Sequence, residues 1–126
     1  MSVLDQLSNG GEIIFTVPIA PVSQQADGKS RRKFQANVKQ HMPKTSFLLS
    51  GDVHLDIYWR CSEVERYESH KSLDVDNIAK PLIDSLVGEI LIDDTQLISV
   101  LVSWVDWELT SQELEIRLRC TSEQER

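Results

Sequence analysis

Carboxylates gather around one lysine between Asp74 and Asp94 (DVDNIAKPLIDSLVGEILIDD), and that combination of residue types suits phosphoryl chemistry. Asp74 and Asp76 are two apart, so on an extended segment they project from one side, about 6 to 7 Å apart along the chain, a spacing a divalent cation can bridge. Lys80 follows Asp76 by four residues, which on a helix stacks it over the same face. Asp93 and Asp94 close the stretch with a second acidic pair. Magnesium and manganese take hard oxygen ligands and keep several waters, so two or three carboxylates at a helix entrance suit them, with a phosphodiester supplying further oxygens. In such a site metal acidifies the attacking water and clamps an in-line displacement. A lysine close by adds positive charge where the phosphorane gains negative charge. Lys80 with Asp84 also reads as an ordinary i, i+4 helix pair.

Other chemistries of an Asp-x-Asp pair fit poorly. A calcium loop needs oxygen ligands at alternate positions and then a glycine, but Ile78 and Ala79 stand there. A phosphoaspartate hydrolase needs a buried apolar strand leading into the first acid, and HKSL is not one; a nucleotide-sugar transferase needs a longer chain. His41, His54 and His70 are scattered, with no Ser/His/Asp or Cys/His arrangement, and Cys61 with Cys120 suggests neither a disulfide framework nor a zinc site.

These residues must be positioned by one domain, 1–126, of 126 residues with a single core. Residues 1–11 read as a loosely held arm with no secretory signal, and no apolar run approaches membrane-spanning length, so a cytoplasmic protein without membrane partners is expected. The net charge of -7 is polarised. Lys29, Arg31, Arg32, Lys33, Lys39 and Lys44 occur with no acid among them, while acids cluster in 52–94 and at the C-terminal end. Strands are expected at Glu12–Val17, Val53–Arg60, Ile90–Ile92, Ile98–Trp107 and Glu113–Cys120, the last two as an antiparallel hairpin. Helices are expected over Ser30–Met42, from Phe34, Val38 and Met42, and from Asp74 or Asp76 to near Gly88, from Ile78, Leu82 and Leu86. Residues 61–73 form a loop or short helical turn. Pro81 deletes a backbone bond inside the second helix. The three tryptophans belong to the core and sheet faces. The order of elements implies an α+β fold, a mixed α/β sandwich whose mixed β-sheet carries helices on one face, with both acidic pairs at one rim.

Asp74-Val-Asp76-Asn77-Ile-Ala-Lys80, then Leu82-Ile-Asp84-Ser-Leu86, then Asp93-Asp94-Thr-Gln96, closely resembles the signature of RusA-type Holliday-junction resolvases, small phage and prophage endonucleases of about this length. The order of elements agrees along the whole chain. The resemblance implies a RusA-like fold and a magnesium-dependent endodeoxyribonuclease (manganese being the alternative metal) that resolves four-way DNA junctions as a homodimer during recombination and repair. Flap or other branched DNA, or a catalytically inactive DNA-structure-binding module, are the alternatives. Carried over by position, Asp74, Asp76 and Asp94 bind metal, Lys80 is needed for cleavage, and Asp93 is a ligand or the support of one. The DNA surface is expected at Lys29, Arg31, Arg32 and Lys33, with Lys71. The chain departs from the family pattern in its Pro21-Val-Ser23-Gln24-Gln25 loop and in the short basic run His70-Lys71. Phe47, Leu48 and Leu49 are the expected dimer contacts.

Overall fold

Strict alternation in Val53–Cys61 decides which side of the sheet is covered. In the computed structural model, which describes residues 12–23, 26–44, 48–68, 75–107 and 111–120, Val53, Leu55, Ile57, Trp59 and Cys61 are buried, while the intervening His54, Asp56, Tyr58 and Arg60 are half-buried. The elements run β1 (Glu12–Val17), α1 (Gly28–His41), β2 (Val53–Cys61), α2 (Glu63–Glu68), α3 (Val75–Leu86), β3 (Leu97–Asp106) and β4 (Glu113–Cys120). The strands form one mixed sheet in the order β1-β4-β2-β3, with β2 and β3 parallel and the other pairs antiparallel. This is the expected α+β fold. One face carries the core, where Ile13, Phe15 and Val17 of β1 and Leu114, Ile116 and Leu118 of β4 join β2 beneath α1 and α3. The other face holds ion pairs, Arg60 to Glu113 (2.8 Å) and Glu115, and Arg117 to Glu115 (2.6 Å).

The expected hairpin of the last two strands does not form. β4 inserts between β1 and β2, and β3 lies on the far side of β2 at the sheet edge. Alternation tells a strand which face to bury but not which strand to pair with. The three fully buried residues of β4 suit a central position, whereas β3 leaves Ile98, Val100 and Leu101 exposed. A parallel neighbour needs a long crossover, which residues 62–96 supply through α2 and α3.

Ile90–Ile92 is not a strand either. Leu91 makes only isolated bridges to Leu49 and Val87, because this apolar run closes the end of α3. The carbonyl of Leu86 accepts from the backbone N–H groups of Ile90 (2.9 Å) and Leu91 (3.0 Å), and Gly88 turns the chain at φ +86°. A left-handed residue just past a helix is the usual glycine stop. Ile90 and Leu91 are thereby driven fully into the core.

The basic helix starts two residues earlier than its apolar period suggested. Asp27 caps it, its carboxylate accepting from the Ser30 N–H at 2.7 Å. Its Phe34 and Val38 are buried, and it packs against α3. Gln35 Nε2 donates to the carbonyl of Pro81 at 3.3 Å, and Ser85 Oγ donates to the same oxygen at 3.0 Å. Leu49 is a core residue at 5% exposure, so it is no dimer contact; Leu48 is exposed, and Phe47 lies outside the described residues. Trp59 is buried, while Trp104 and Trp107 are half-buried under the guanidinium groups of Arg66 (4.7 Å) and Arg60 (4.9 Å).

Candidate active site

Helical spacing in α3 sorts its residues by chemistry. Ile78, Leu82 and Leu86 are fully buried, which turns Lys80 and Asp84 outward, one turn apart on the exposed side. Lys80 Nζ lies 3.0 Å from Asp84 Oδ1 and 3.6 Å from Asp94 Oδ2, so one ammonium joins the helix to the acidic turn before β3. Those two carboxylates hold the Lys80 ammonium above the ordinary lysine range, the Asp84 hydrogen bond contributing most. Lys80 is therefore a cation at any pH at which the protein would work.

Asp94 is set in place by its neighbours. Residues Asp94–Gln96 form a 3-10 turn with Asp93 as its N-cap. Asp93 Oδ1 accepts from the Asp94 N–H at 2.8 Å and Oδ2 from Thr95 Oγ1 at 3.1 Å. These bonds, with Thr95 contributing most, hold the Asp93 carboxyl below the usual aspartate range. Gln96 completes the capping box from the other side. Its Oε1 accepts from the backbone N–H groups of Ile92 (2.7 Å) and Asp93 (3.0 Å), and its Nε2 donates to the carbonyls of Leu49 (2.8 Å) and Gly51 (3.0 Å). Gln96 thus fastens the acidic turn to the segment entering β2. Capping falls to Asp93, and the Asp94 carboxylate, 48% exposed, faces Lys80.

Of the residues singled out in the sequence, Lys80 and Asp94 are brought together and Asp93 supports the second of them. Asp74 and Lys71 lie outside the described residues; Asp76 is the second residue of α3, and its side chain is also outside them. Among the described residues no three His, Cys, Asp or Glu side chains form a group that could hold a metal. A half-exposed carboxylate on a braced turn does fit a hard cation as one ligand of a set.

Lys29, Arg32 and Lys33 are exposed on the first two turns of α1; Arg31 is half-buried, and its buried Nε has no hydrogen-bond partner among the described residues. That end of a helix carries the positive end of the dipole, so four cations there weaken the helix, and α1 has no acid in its first turn to offset them. The helix tolerates them because the Asp27 cap sets a carboxylate at that end and Phe34 and Val38 anchor it to the core. Their neighbour in space is α3, so the cationic helix stands beside the one that carries Lys80.

Residue type alone does not mark Gln96 as a site residue. Its signal was present, since Asp93-Asp-Thr-Gln96 has the acid-x-x-glutamine spacing of a capping box.

The family model of the endodeoxyribonuclease RusA matches residues 22–119, a span that contains Lys29 to Lys33, the Asp74 to Lys80 segment and the Asp93-Asp94 turn. No curated protein matches the chain. The chain belongs to the RusA endodeoxyribonuclease family, whose members resolve Holliday junctions.

Proposed function

We propose that this member of the family is a magnesium-dependent endonuclease that nicks four-way DNA junctions by phosphodiester hydrolysis, acting as a homodimer in the cytoplasm during recombination and repair. The observation that carries the proposal is the 3.6 Å approach of the Lys80 ammonium to the Asp94 carboxylate at the rim of the sheet, within the span matched to the family. Asp74, Asp76 and Asp94 would hold the metal, all three supplying the hard oxygen that Mg2+ prefers over softer ligands, with Mn2+ as a substitute. A metal held by these carboxylates would supply positive charge beside the phosphate and lower the pKa of a bound water. Lys80 would donate hydrogen bonds to the phosphate oxygens as they gain charge, a role that requires it to stay protonated. Lys29, Arg31, Arg32 and Lys33, with Lys71, would hold the DNA backbone. This local cationic surface reconciles DNA binding with a net charge of -7. Two subunits related by a two-fold axis match the near two-fold symmetry of a junction and give one active site per nicked strand.

The test is cleavage of synthetic four-way junctions, flaps and duplex by the purified protein in Mg2+ and in EDTA, with the mass in solution from sedimentation. Paired nicks on junctions, dependent on metal and made by a species near twice 14.4 kDa, support the reading. Preference for flaps with single nicks would make it a different branched-DNA nuclease. Junction binding without cleavage under any divalent metal would make it a structure-binding module.

A further inference from the structure

Asp84 is badly placed for the helix that carries it. It lies in the last turn of α3, which ends at Leu86 and has no basic residue there. The negative end of the helix dipole disfavours a carboxylate at that position. Its order in the pair is also the weaker one, since an acid stabilises a helix more when it precedes the lysine by four residues than when it follows. Both side chains are open to solvent, 45% exposed for Lys80 and 42% for Asp84, where an ion pair adds little to stability. Helix stability therefore does not account for Asp84.

Its geometry toward Lys80 does. The ammonium is nearer to Asp84, at 3.0 Å, than to Asp94, at 3.6 Å, and the two carboxylates come from different elements. A lysine head on a long flexible stem is a mobile point charge unless something holds it. Resting on the nuclease reading above, we infer that Asp84 is a positioning residue: it tethers the Lys80 ammonium from within α3, so that Lys80 keeps its place when the Asp94 carboxylate is engaged elsewhere. The tether uses one of the three ammonium donors and leaves two for substrate oxygens. Asp84 itself touches neither the DNA nor the reacting atoms. Misplacing a catalytic group by about 1 Å costs on the order of a hundredfold in rate, so loss of the tether should slow cutting by about tenfold to a hundredfold.

Two measurements test this. The first needs no activity: the mobility of the Lys80 ammonium is followed by 15N NMR of the lysine side chains in the wild-type protein, Asp84→Asn and Asp94→Asn. The tether predicts a marked gain in mobility in Asp84→Asn and a smaller one in Asp94→Asn. Equal mobility in wild type and Asp84→Asn overturns the inference whether or not the protein cuts DNA. The second is single-turnover junction cleavage. Asp84→Asn should lower the rate at saturation with junction affinity, Mg2+ half-saturation and urea midpoint unchanged, and Asp84→Glu should recover part of it. A raised Mg2+ requirement would make Asp84 a metal ligand, and a lowered urea midpoint without rescue by glutamate would make it a folding residue; either outcome overturns the inference. A wild-type protein that nicks no branched DNA while Asp84→Asn frees Lys80 overturns the nuclease reading and leaves the tether standing.

Discussion

Replacing Gln96 with alanine removes the staple between the acidic turn and the chain entering β2. The amide makes four hydrogen bonds, two accepted from Ile92 and Asp93 and two donated to Leu49 and Gly51. The first pair is exposed, so water can replace the lost acceptor; the second is part-buried, and the two carbonyls lose their donor at greater cost. At a net 0.5–1.5 kcal/mol for a typical bond, with the exposed pair near the lower limit and the part-buried pair near the middle of that range, the loss comes to about 3 kcal/mol. Urea unfolding should show this as a lower midpoint with an unchanged slope. The consequence for activity is larger, because Asp94 follows directly on the capping residue Asp93, which Gln96 holds through its backbone N–H, and loses that bracing. If the carboxylate drifts by about 1 Å, junction cleavage should fall on the order of a hundredfold at temperatures where the variant remains folded. Gln96→Glu separates the two halves of the staple. It keeps an acceptor for Ile92 and Asp93 but turns a negative oxygen toward the carbonyls of Leu49 and Gly51, so it should be no more stable than the alanine variant. An alanine variant that keeps both the urea midpoint and the cleavage rate of the wild type would refute the reasoning.

The two adjacent acids should respond differently. Asp94→Asn should abolish metal-dependent cleavage by orders of magnitude while junction binding persists, whereas Asp93→Asn should keep most of both rate and stability, since asparagine caps as well as aspartate; equal losses in a side-by-side cleavage assay would refute the division. Neutralising Lys29, Arg31, Arg32 and Lys33 together should weaken junction binding and flatten its salt dependence, each lost phosphate contact removing about 0.9 from the slope of log affinity on log salt. An unchanged slope would place the DNA surface elsewhere. The cap of α1 predicts a pH effect of defined sign. Hydrogen bonds from Ser30 hold the Asp27 carboxyl below its ordinary value, so its stabilisation is present above that ordinary value and is lost as pH falls through the lowered one. Asp27→Ala should therefore lower the urea midpoint at neutral pH and converge on the wild type in acid, and a constant difference across that range would show that Asp27 does not act as a charged cap.

The faces of the elements were legible in the sequence because burial imposes a period, and β2 and α3 follow theirs without exception at Val53, Leu55, Ile57, Trp59 and Cys61 and at Ile78, Leu82 and Leu86. Neighbours were not legible, because a period of two holds equally for a strand at the edge and one in the middle. That is why β4 could be assigned its inward residues and still be given β3 as the wrong partner. The same limit explains Ile90–Ile92, whose three apolar residues fit a strand or a helix stop equally well. Its fate is decided by Gly88, whose positive φ aims the chain back at the Leu86 carbonyl. At the site, residue types announced Lys80 and Asp94, but their approach across two elements depends on Gln96 reaching Leu49 and Gly51, contacts distant in the chain. What local spacing did contain was the division between Asp93 and Asp94. A capping box needs its acid three residues before the glutamine, so Asp93 turns to the backbone. With the cap taken by its neighbour, Asp94 is left to face Lys80, and two adjacent residues of the same type acquire different work from one hydrogen-bonding rule.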